Sequence, residues 1–264
     1  MRELKTIVTT AGRPDDVSMA LAAFACQELG AAFEPRNKRS VRKISQELQA
    51  HVIVAGKNRF EYYAYGAQEP FFFHPPNSAA FRLKRVARGE AEPFLEAAQL
   101  QLGGDSVLDC TLGLAADAML AAYTVGEAGR VVGLEANPNV AFIVRQGMQA
   151  YDTSELPLTA CMRHIEIIQS EAVRYLKTLP DNAFDVVYMD PMFEKVIEEA
   201  NNFQALRLAG EHVTLTDEWV YEAKRVAKKR VVLKAHFRSE WFATYGFQQH
   251  ERITAKFHYG VLEV

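Results

Sequence analysis

The chain has 264 residues, 49% of them apolar, enough to bury the core of one large domain or of a domain with a smaller companion. A formal net charge of −3 excludes a protein that coats nucleic acid through bulk charge, so any contact with a polyanion must come from local basic patches. No apolar run approaches the roughly 20 residues of a membrane span, and Met1-Arg2-Glu3-Leu4-Lys5 lacks the apolar stretch of a signal peptide, so a cytoplasmic location is expected.

The pattern of residues 5–10 predicts a strand, and that of 17–29 a helix, with Asp15 or Asp16 near its start and Gly30 as its C-cap. A second helix is expected over 41–48 and a second strand over 50–55. A turn at Gly56-Lys57-Asn58 then leads into a third strand over 60–65. Between the two helices lie Arg36, Lys38, Arg39, Arg42 and Lys43, a cluster suited to phosphate contact and equally compatible with a solvated loop. Residues 7–14, followed by a helix and this basic turn, resemble the start of Brix-type ribosomal-RNA-binding domains. Residues 1–75 are therefore expected to form a small α/β module with an RNA-binding role. Pro75 and Pro76 can continue neither a helix nor a central strand, which places the boundary there and leaves 76–264 as the main domain.

Arg82, Lys84, Arg85 and Arg88 lead through Gly89 into an amphipathic helix expected over 92–102. Arg82 and Arg85 are candidates to line the entrance to an RNA site, against the alternative of a solvated helix face. From Ser106 onwards strands and helices alternate. Strands are expected over 106–109, 131–135, 165–169, 184–189 and 230–234, and helices from about Leu114 and over 139–148, 171–179 and 216–227. The final stretches, 247–253 and 257–264, read as a hairpin. This is an α/β chain with a doubly wound, mostly parallel sheet closed by an antiparallel pair. That architecture is similar to the seven-stranded, Rossmann-like sheet of class I methyltransferases rather than to that of dinucleotide dehydrogenases.

Several strand ends carry residues with chemical potential. The first strand of the main domain ends in Asp109-Cys110-Thr111-Leu112-Gly113, where turn N–H groups and a helix N-terminus would face a ligand. The turn has one glycine where a pyrophosphate-binding turn would have three, so a cofactor without phosphates fits better, and S-adenosyl-L-methionine is such a cofactor. Glu135 ends the second strand, where a carboxylate can accept hydrogen bonds from both ribose hydroxyls. Ser170 and Glu171, after the third strand, are candidates to meet the adenine, and are equally readable as a helix N-cap. The most specific signal is Val186-Val187-Tyr188-Met189-Asp190-Pro191-Met192-Phe193. In Asp-Pro-Pro-Tyr-type amino methyltransferases the Asp carboxylate and the proline carbonyl hold an exocyclic amine while the aromatic stacks on the base, which makes Asp190, Pro191 and Phe193 the candidate catalytic residues. Lys234 ends the fifth strand at the same edge, a candidate for contact with substrate phosphate or base. The cations between Lys224 and Arg230 close a helix and read as structural. Cys26, Cys110 and Cys161 have neither disulfide nor zinc spacing, and no metal is expected.

From about Ala80 to Val264 the sequence resembles the RsmJ-type bacterial 16S ribosomal RNA guanine-N2 methyltransferases. The resemblance rests on Asp109, Thr111, Gly113 and Asp117 with their spacing, on Leu134-Glu135 with Asn137, Pro138 and Val140, on Val187 to Phe193, and on Lys229 to Lys234. It implies that Asp109, Gly113, Glu135 and Asp190 bind S-adenosyl-L-methionine or position the amine, and that Asp117 supports the cofactor loop; Thr111 is a further cofactor-binding candidate. It further implies a small-subunit ribosomal RNA, free or in an assembling particle, as partner. The sequence departs from the family where its usual Gly-Arg is here Ala115-Ala116. Two other readings use the same fold: a DNA or small-molecule methyltransferase, and an RNA-binding protein without turnover.

Overall fold

The computed structural model describes residues 4–153, 157–191 and 214–264. These group into two compact units, one built from 4–74 with 137–151, the other from 75–136, 152–153, 157–191 and 214–264.

In the first unit β1 (Thr6–Thr10), β2 (Ala32–Phe33), β3 (His51–Ala55) and β4 (Phe60–Tyr63) form a sheet in the order β2-β1-β3-β4. β1 runs parallel to β2 and to β3, whereas β4 returns antiparallel to β3. The expected third strand stops at Tyr63, and Tyr62, paired with Ile53 in the sheet, also pairs with Phe71 in an isolated bridge. α1 (Asp16–Leu29) starts on a capping box between Asp15 and Ser18 and ends on Gly30 at φ 59°. α2 (Val41–Leu48) is capped by Ser40, and its Val41, Ile44 and Leu48 close over Ile7, Val52 and Val54 of the sheet. Later in the chain, α6 (Pro138–Ala150) also belongs to this unit. Its Phe142 packs against Phe24 and edge-on against Phe60, with ring centroids 6.2 and 4.9 Å away.

The second unit opens with α3 (Asn77–Ala87) and α4 (Pro93–Ala98). The helix expected over 92–102 is shorter because Gln99 turns left-handed at φ 46°. A seven-stranded sheet follows, with β5 (Ser106–Asp109), β6 (Arg130–Glu135), β7 (Ile165–Gln169), β8 (Phe184–Met189), β9 (Ala227–His236), β10 (Gln248–His250) and β11 (Phe257–Glu263). Its order is β10-β11-β9-β8-β5-β6-β7; β5 to β9 are parallel, and β11 is antiparallel to both β9 and β10. The doubly wound sheet closed by an antiparallel pair is the fold the sequence pattern predicts. α5 (Ala116–Val125), α7 (Leu158–His164), α8 (Ala172–Leu176), α9 (Asp217–Val226) and α10 (Trp241–Tyr245) complete the described elements. Leu108, Val132, Leu134, Val187, Val231 and Leu233 bury one layer against Trp219, Val220 and Phe242. Each such large side chain contributes about 1.5–3 kcal/mol through burial.

The chain winds from β5 to β7 on one side and returns to β8 on the other, so the winding direction reverses between β5 and β8. At such a reversal the loops leave in opposite directions and open a crevice at the carboxyl ends of the strands. Asp109 and Tyr188 are register partners there, and Asp190 follows Tyr188 by two residues.

Candidate active site

The turn after β5 is fixed by a backbone hydrogen bond and by one apolar side chain. The Leu112 N–H donates to Leu134 O at 2.9 Å, and the Leu112 side chain lies flat on Gly133, where a Cβ would come within 2.3 Å of it. Gly113 follows at φ 49°, with no atom closer than the Thr111 carbonyl at 3.9 Å from where its Cβ would be. Ala115 then takes φ 61° as the N-cap of α5. The left-handed geometry is here held with a methyl group in place. Left-handed backbone costs a non-glycine residue about 1 kcal/mol. Ala115→Gly should therefore stabilise the chain by about 1 kcal/mol, read as a higher urea midpoint with an unchanged slope.

Side chains tie this turn to the ends of β8 and β9. Asp109 is 2% exposed, and its Oδ1 accepts from the Thr111 N–H at 2.9 Å. The Thr111 hydroxyl in turn accepts from the Asp190 N–H at 2.8 Å, joining the turns after β5 and β8. Asp117, in the first turn of α5, is a junction. Its Oδ1 accepts from Arg82 Nη1 at 2.7 Å, and its Oδ2 accepts from Tyr188 OH at 2.9 Å and from Lys234 Nζ at 3.3 Å. Lys234 also reaches Asp190 Oδ2 at 2.7 Å. Arg82 completes the chain of charges by pairing with Glu92 at 2.7 Å, while the other Glu92 oxygen caps α4 at the Leu95 N–H.

The electrostatics follow from packing charges of both signs in one dry place. Burial pushes the Asp109 carboxyl up to about 7, and the neighbouring Asp117 and Asp190 charges push the same way against the Thr111 hydrogen bond. Burial also raises Asp190, but Lys234 opposes it. For Asp117 burial is outweighed by Lys234 and Arg82, which hold its carboxyl down at about 2. Burial alone would discharge Lys234; Asp117 and Asp190 keep it charged, well above the usual lysine range. Tyr188 is held as a neutral phenol by burial and by Asp117.

Among the candidate residues, Asp109, Thr111, Asp117, Asp190 and Lys234 meet at this crevice, with Pro191 buried beside Asp190. Glu135 is half-buried at the end of β6, where its carbonyl accepts from the Ser170 N–H. The Glu171 carboxylate caps α8, accepting from Val173 and Arg174 N–H at 3.0 and 2.8 Å, and Ser170 Oγ donates to the Glu171 carbonyl. Arg82 points into the charge cluster, whereas Arg85 pairs with Glu90 at 2.7 Å near the surface. Phe193 lies outside the described residues. Sequence reasoning passed over Glu92 and Tyr188. Tyr188 reads as one more apolar residue of a buried strand, and Glu92 as an ordinary helix start. Among the described residues no three His, Cys, Asp or Glu side chains are grouped to hold a metal, and no helix is long and apolar enough to cross a membrane.

A methyl donor of the S-adenosyl-L-methionine type carries an ammonium, two ribose hydroxyls and a sulfonium, all of which suit acceptors and negative charge. The crevice offers carboxylates at the ends of three adjacent strands, beside a turn left open at Gly113. The donor set fits the group. Sheet order, antiparallel last strands and acidic strand ends together define a Rossmann-like class I methyltransferase. Residues 68–258 match the profile of the SAM-dependent methyltransferase family SAM_MT, and the chain belongs to that family. Its cofactor is S-adenosyl-L-methionine. The YpiP protein of Bacillus subtilis (strain 168) is 43% identical over 258 residues, covering 97% of this chain and 99% of that one. Ribosomal RNA small subunit methyltransferase J of Coxiella burnetii (strain RSA 331) is 32% identical over 132 residues, 49% of each chain. The same-named enzyme of Acinetobacter baumannii (strain AYE) is 29% identical over 57% of this chain and 58% of its own. The match to these two thus spans only about half their length. A SAM-dependent methyltransferase from Neisseria gonorrhoeae shares the fold, with a TM-score of 0.58 at 19% identity over 98% of this chain and 96% of its own.

Proposed function

We propose that this methyltransferase acts on an exocyclic amine, the N2 of guanine, in small-subunit ribosomal RNA. The observation that carries the reading is Asp190: a carboxylate delivered by a buried strand to the crevice, followed by Pro191, with its N–H held by Thr111 and one oxygen by Lys234. Support for an RNA substrate comes from the two relatives named as ribosomal RNA methyltransferases. Bound in the crevice, S-adenosyl-L-methionine supplies an electrophilic methyl on a sulfonium; on this reading Asp109, Thr111, Gly113, Glu135, Ser170, Glu171 and Asp190 hold it, with Asp117 bracing the turn.

The rest is done by the chain's own groups. The Asp190 carboxylate and the Pro191 carbonyl accept the two amine N–H bonds, which turns the nitrogen lone pair out of conjugation and toward the methyl. Asp190, 2.7 Å from Lys234, would take up the proton that the amine nitrogen releases on accepting the methyl group from the bound donor. Phe193 serves as the stacking surface for the base, which is flipped out or already single-stranded. Arg82 and Arg85, candidates for contact with RNA, act here through the carboxylates they pair with. The surrounding compartment is the cytoplasm.

The test is transfer of labelled methyl to RNA, DNA and metabolite pools from a strain lacking this gene. Label should appear as N2-methylguanosine in 16S ribosomal RNA, and Asp190→Ala should lower transfer roughly a thousandfold. Label in DNA or in a metabolite would overturn the RNA assignment, and binding of RNA without any transfer would favour a non-catalytic role.

A further inference from the structure

The first unit repeats, on a smaller scale, the topology that makes crevices. β1 leads through α1 to β2 on one side, and β2 leads through α2 to β3 on the other, so the winding reverses at β1. Three parallel strands therefore end at one edge, and the loops that leave them are joined there. The Ala11 N–H donates to Ala55 O at 3.2 Å and the Glu34 N–H to Val8 O at 2.8 Å. Arg36 Nη1 reaches Thr10 O at 3.5 Å, and Lys57 pairs with Asp15 at 2.7 Å. This is the place where an open α/β sheet binds ligands.

The loops that meet there are cationic. Arg13 follows β1, Arg36, Lys38 and Arg39 follow β2, and Lys57 and Arg59 follow β3. Their charges are not equivalent. Arg39 is held between Glu34 and Glu47, and Arg59 pairs with Glu61 while its guanidinium lies 3.8 Å from the centre of the Phe72 ring. Arg13 and Lys38 are exposed, and Arg36 donates only to carbonyls. Among the described residues none of these three is in an ion pair with a carboxylate. The paired arginines stiffen the loops, and the three others present charge to solvent.

Backbone geometry adds a second, independent observation. Arg36 to Arg39 form a tight turn closed by the Arg39 N–H to Arg36 O bond at 2.8 Å, with Asn37 at φ 46° and Lys38 at φ 64°. Turns of this kind place Asn and then Gly at the two central positions, because the second tolerates a side chain poorly. Here that position holds a lysine, so the fold keeps a disfavoured backbone in order to project a cation from the tip. Strain retained at an exposed charged position points to a ligand.

We propose that this edge of the first unit, with Arg13, Arg36 and Lys38 at its centre, binds the phosphate backbone of the RNA substrate. The proposal rests on the reading of RNA as the methyl acceptor and supplies it with a grip on the polyanion that the net charge of −3 does not provide. The contacts are to phosphates and carry no sequence information, so this edge contributes affinity and not the choice of base.

The experiment is anisotropy titration of the full chain, with S-adenosyl-L-methionine present, into a labelled single-stranded RNA oligonucleotide at several salt concentrations. Arg13→Glu combined with Lys38→Glu should weaken binding at least tenfold. The double variant should also flatten the log–log salt dependence by about 1.4, which is 0.7 for each lost phosphate contact. Lys224→Glu with Lys228→Glu makes the same charge change near the opposite, amino end of β9 and should leave affinity within twofold of wild type. Circular dichroism and the thermal midpoint of each variant report that the fold is kept. Equal affinity for wild type and the Arg13/Lys38 variant, or an equal loss in the Lys224/Lys228 variant, overturns the phosphate site while leaving the RNA reading intact. A wild-type chain that binds its cofactor but no RNA removes the RNA reading and the site together.

Discussion

Lys234→Met is expected to lower methyl transfer a hundred- to a thousandfold near neutral pH, and to move the acidic limb of the pH profile to higher pH. On the proposed reading Asp190 must be ionised to accept the amine. Burial and the Asp117 charge work against ionisation, and the ammonium 2.7 Å away works for it. Without Lys234, Asp109, Asp117 and Asp190 share the crevice with the Arg82 guanidinium, which is already divided between Asp117 and Glu92. Asp190 then takes up a proton at higher pH than in the wild type and turns from acceptor into donor. The sign is fixed: a carboxyl whose pKa rises is less ionised at any given pH, so activity that needs the anion returns only at higher pH. Lys234→Arg keeps the charge and should restore part of the rate with a limb close to wild type. The measurement is the rate constant at saturating RNA between about pH 6 and pH 9, beside the cofactor dissociation constant. A uniform loss with an unmoved limb would show that Lys234 only fills space.

The sheet was legible because short apolar runs ending in an acidic residue recur with helical stretches between them, and buried parallel strands have that signature. Asp109, Glu135 and Asp190 could be placed on one edge from strand direction alone. What sits beneath them could not. Arg82 and Asp117 are 35 residues apart, and nothing in the sequence pairs the one, readable as part of a solvated helix face, with the other until α3 and α5 are packed together. The basic stretch around Arg82 therefore suggested an opening to solvent, whereas its guanidinium faces a carboxylate on each side. Periodicity also gave no warning that α6, which follows β6 directly, buries Phe142 against Phe24 and Phe60 of the first unit, since an apolar helix face does not name its partner. The strained Lys38 turn was hidden for a related reason. Turn propensity favours glycine at that position, whereas Lys38 holds the same angle in the fold.

Asp117→Ala should cost about 3 kcal/mol of folding stability, the largest such loss expected from a single truncation in the crevice. Removing the carboxylate leaves the Tyr188 phenol buried without its acceptor, and takes one partner each from Arg82 and Lys234. Both cations keep a second carboxylate, Glu92 and Asp190, so the cost stays at the lower end of what breaking a buried ion pair entails. Asp117→Asn retains one acceptor oxygen and should fall between. The loss also has a pH signature. In the folded chain Asp117 is held at about 2, below the usual carboxylate value of 3.8, so its contribution is complete above pH 4 and disappears as pH falls through about 2. Through this group the difference in urea-unfolding free energy between wild type and Asp117→Ala should narrow by about 2 kcal/mol as pH falls from about 4 toward 2. A difference under 1 kcal/mol at neutral pH would mean that water replaces the carboxylate at no cost. In that case Asp117 would not be what keeps Lys234 beside Asp190, and with its opposing charge removed Asp117→Ala would move the acidic limb of methyl transfer to lower pH.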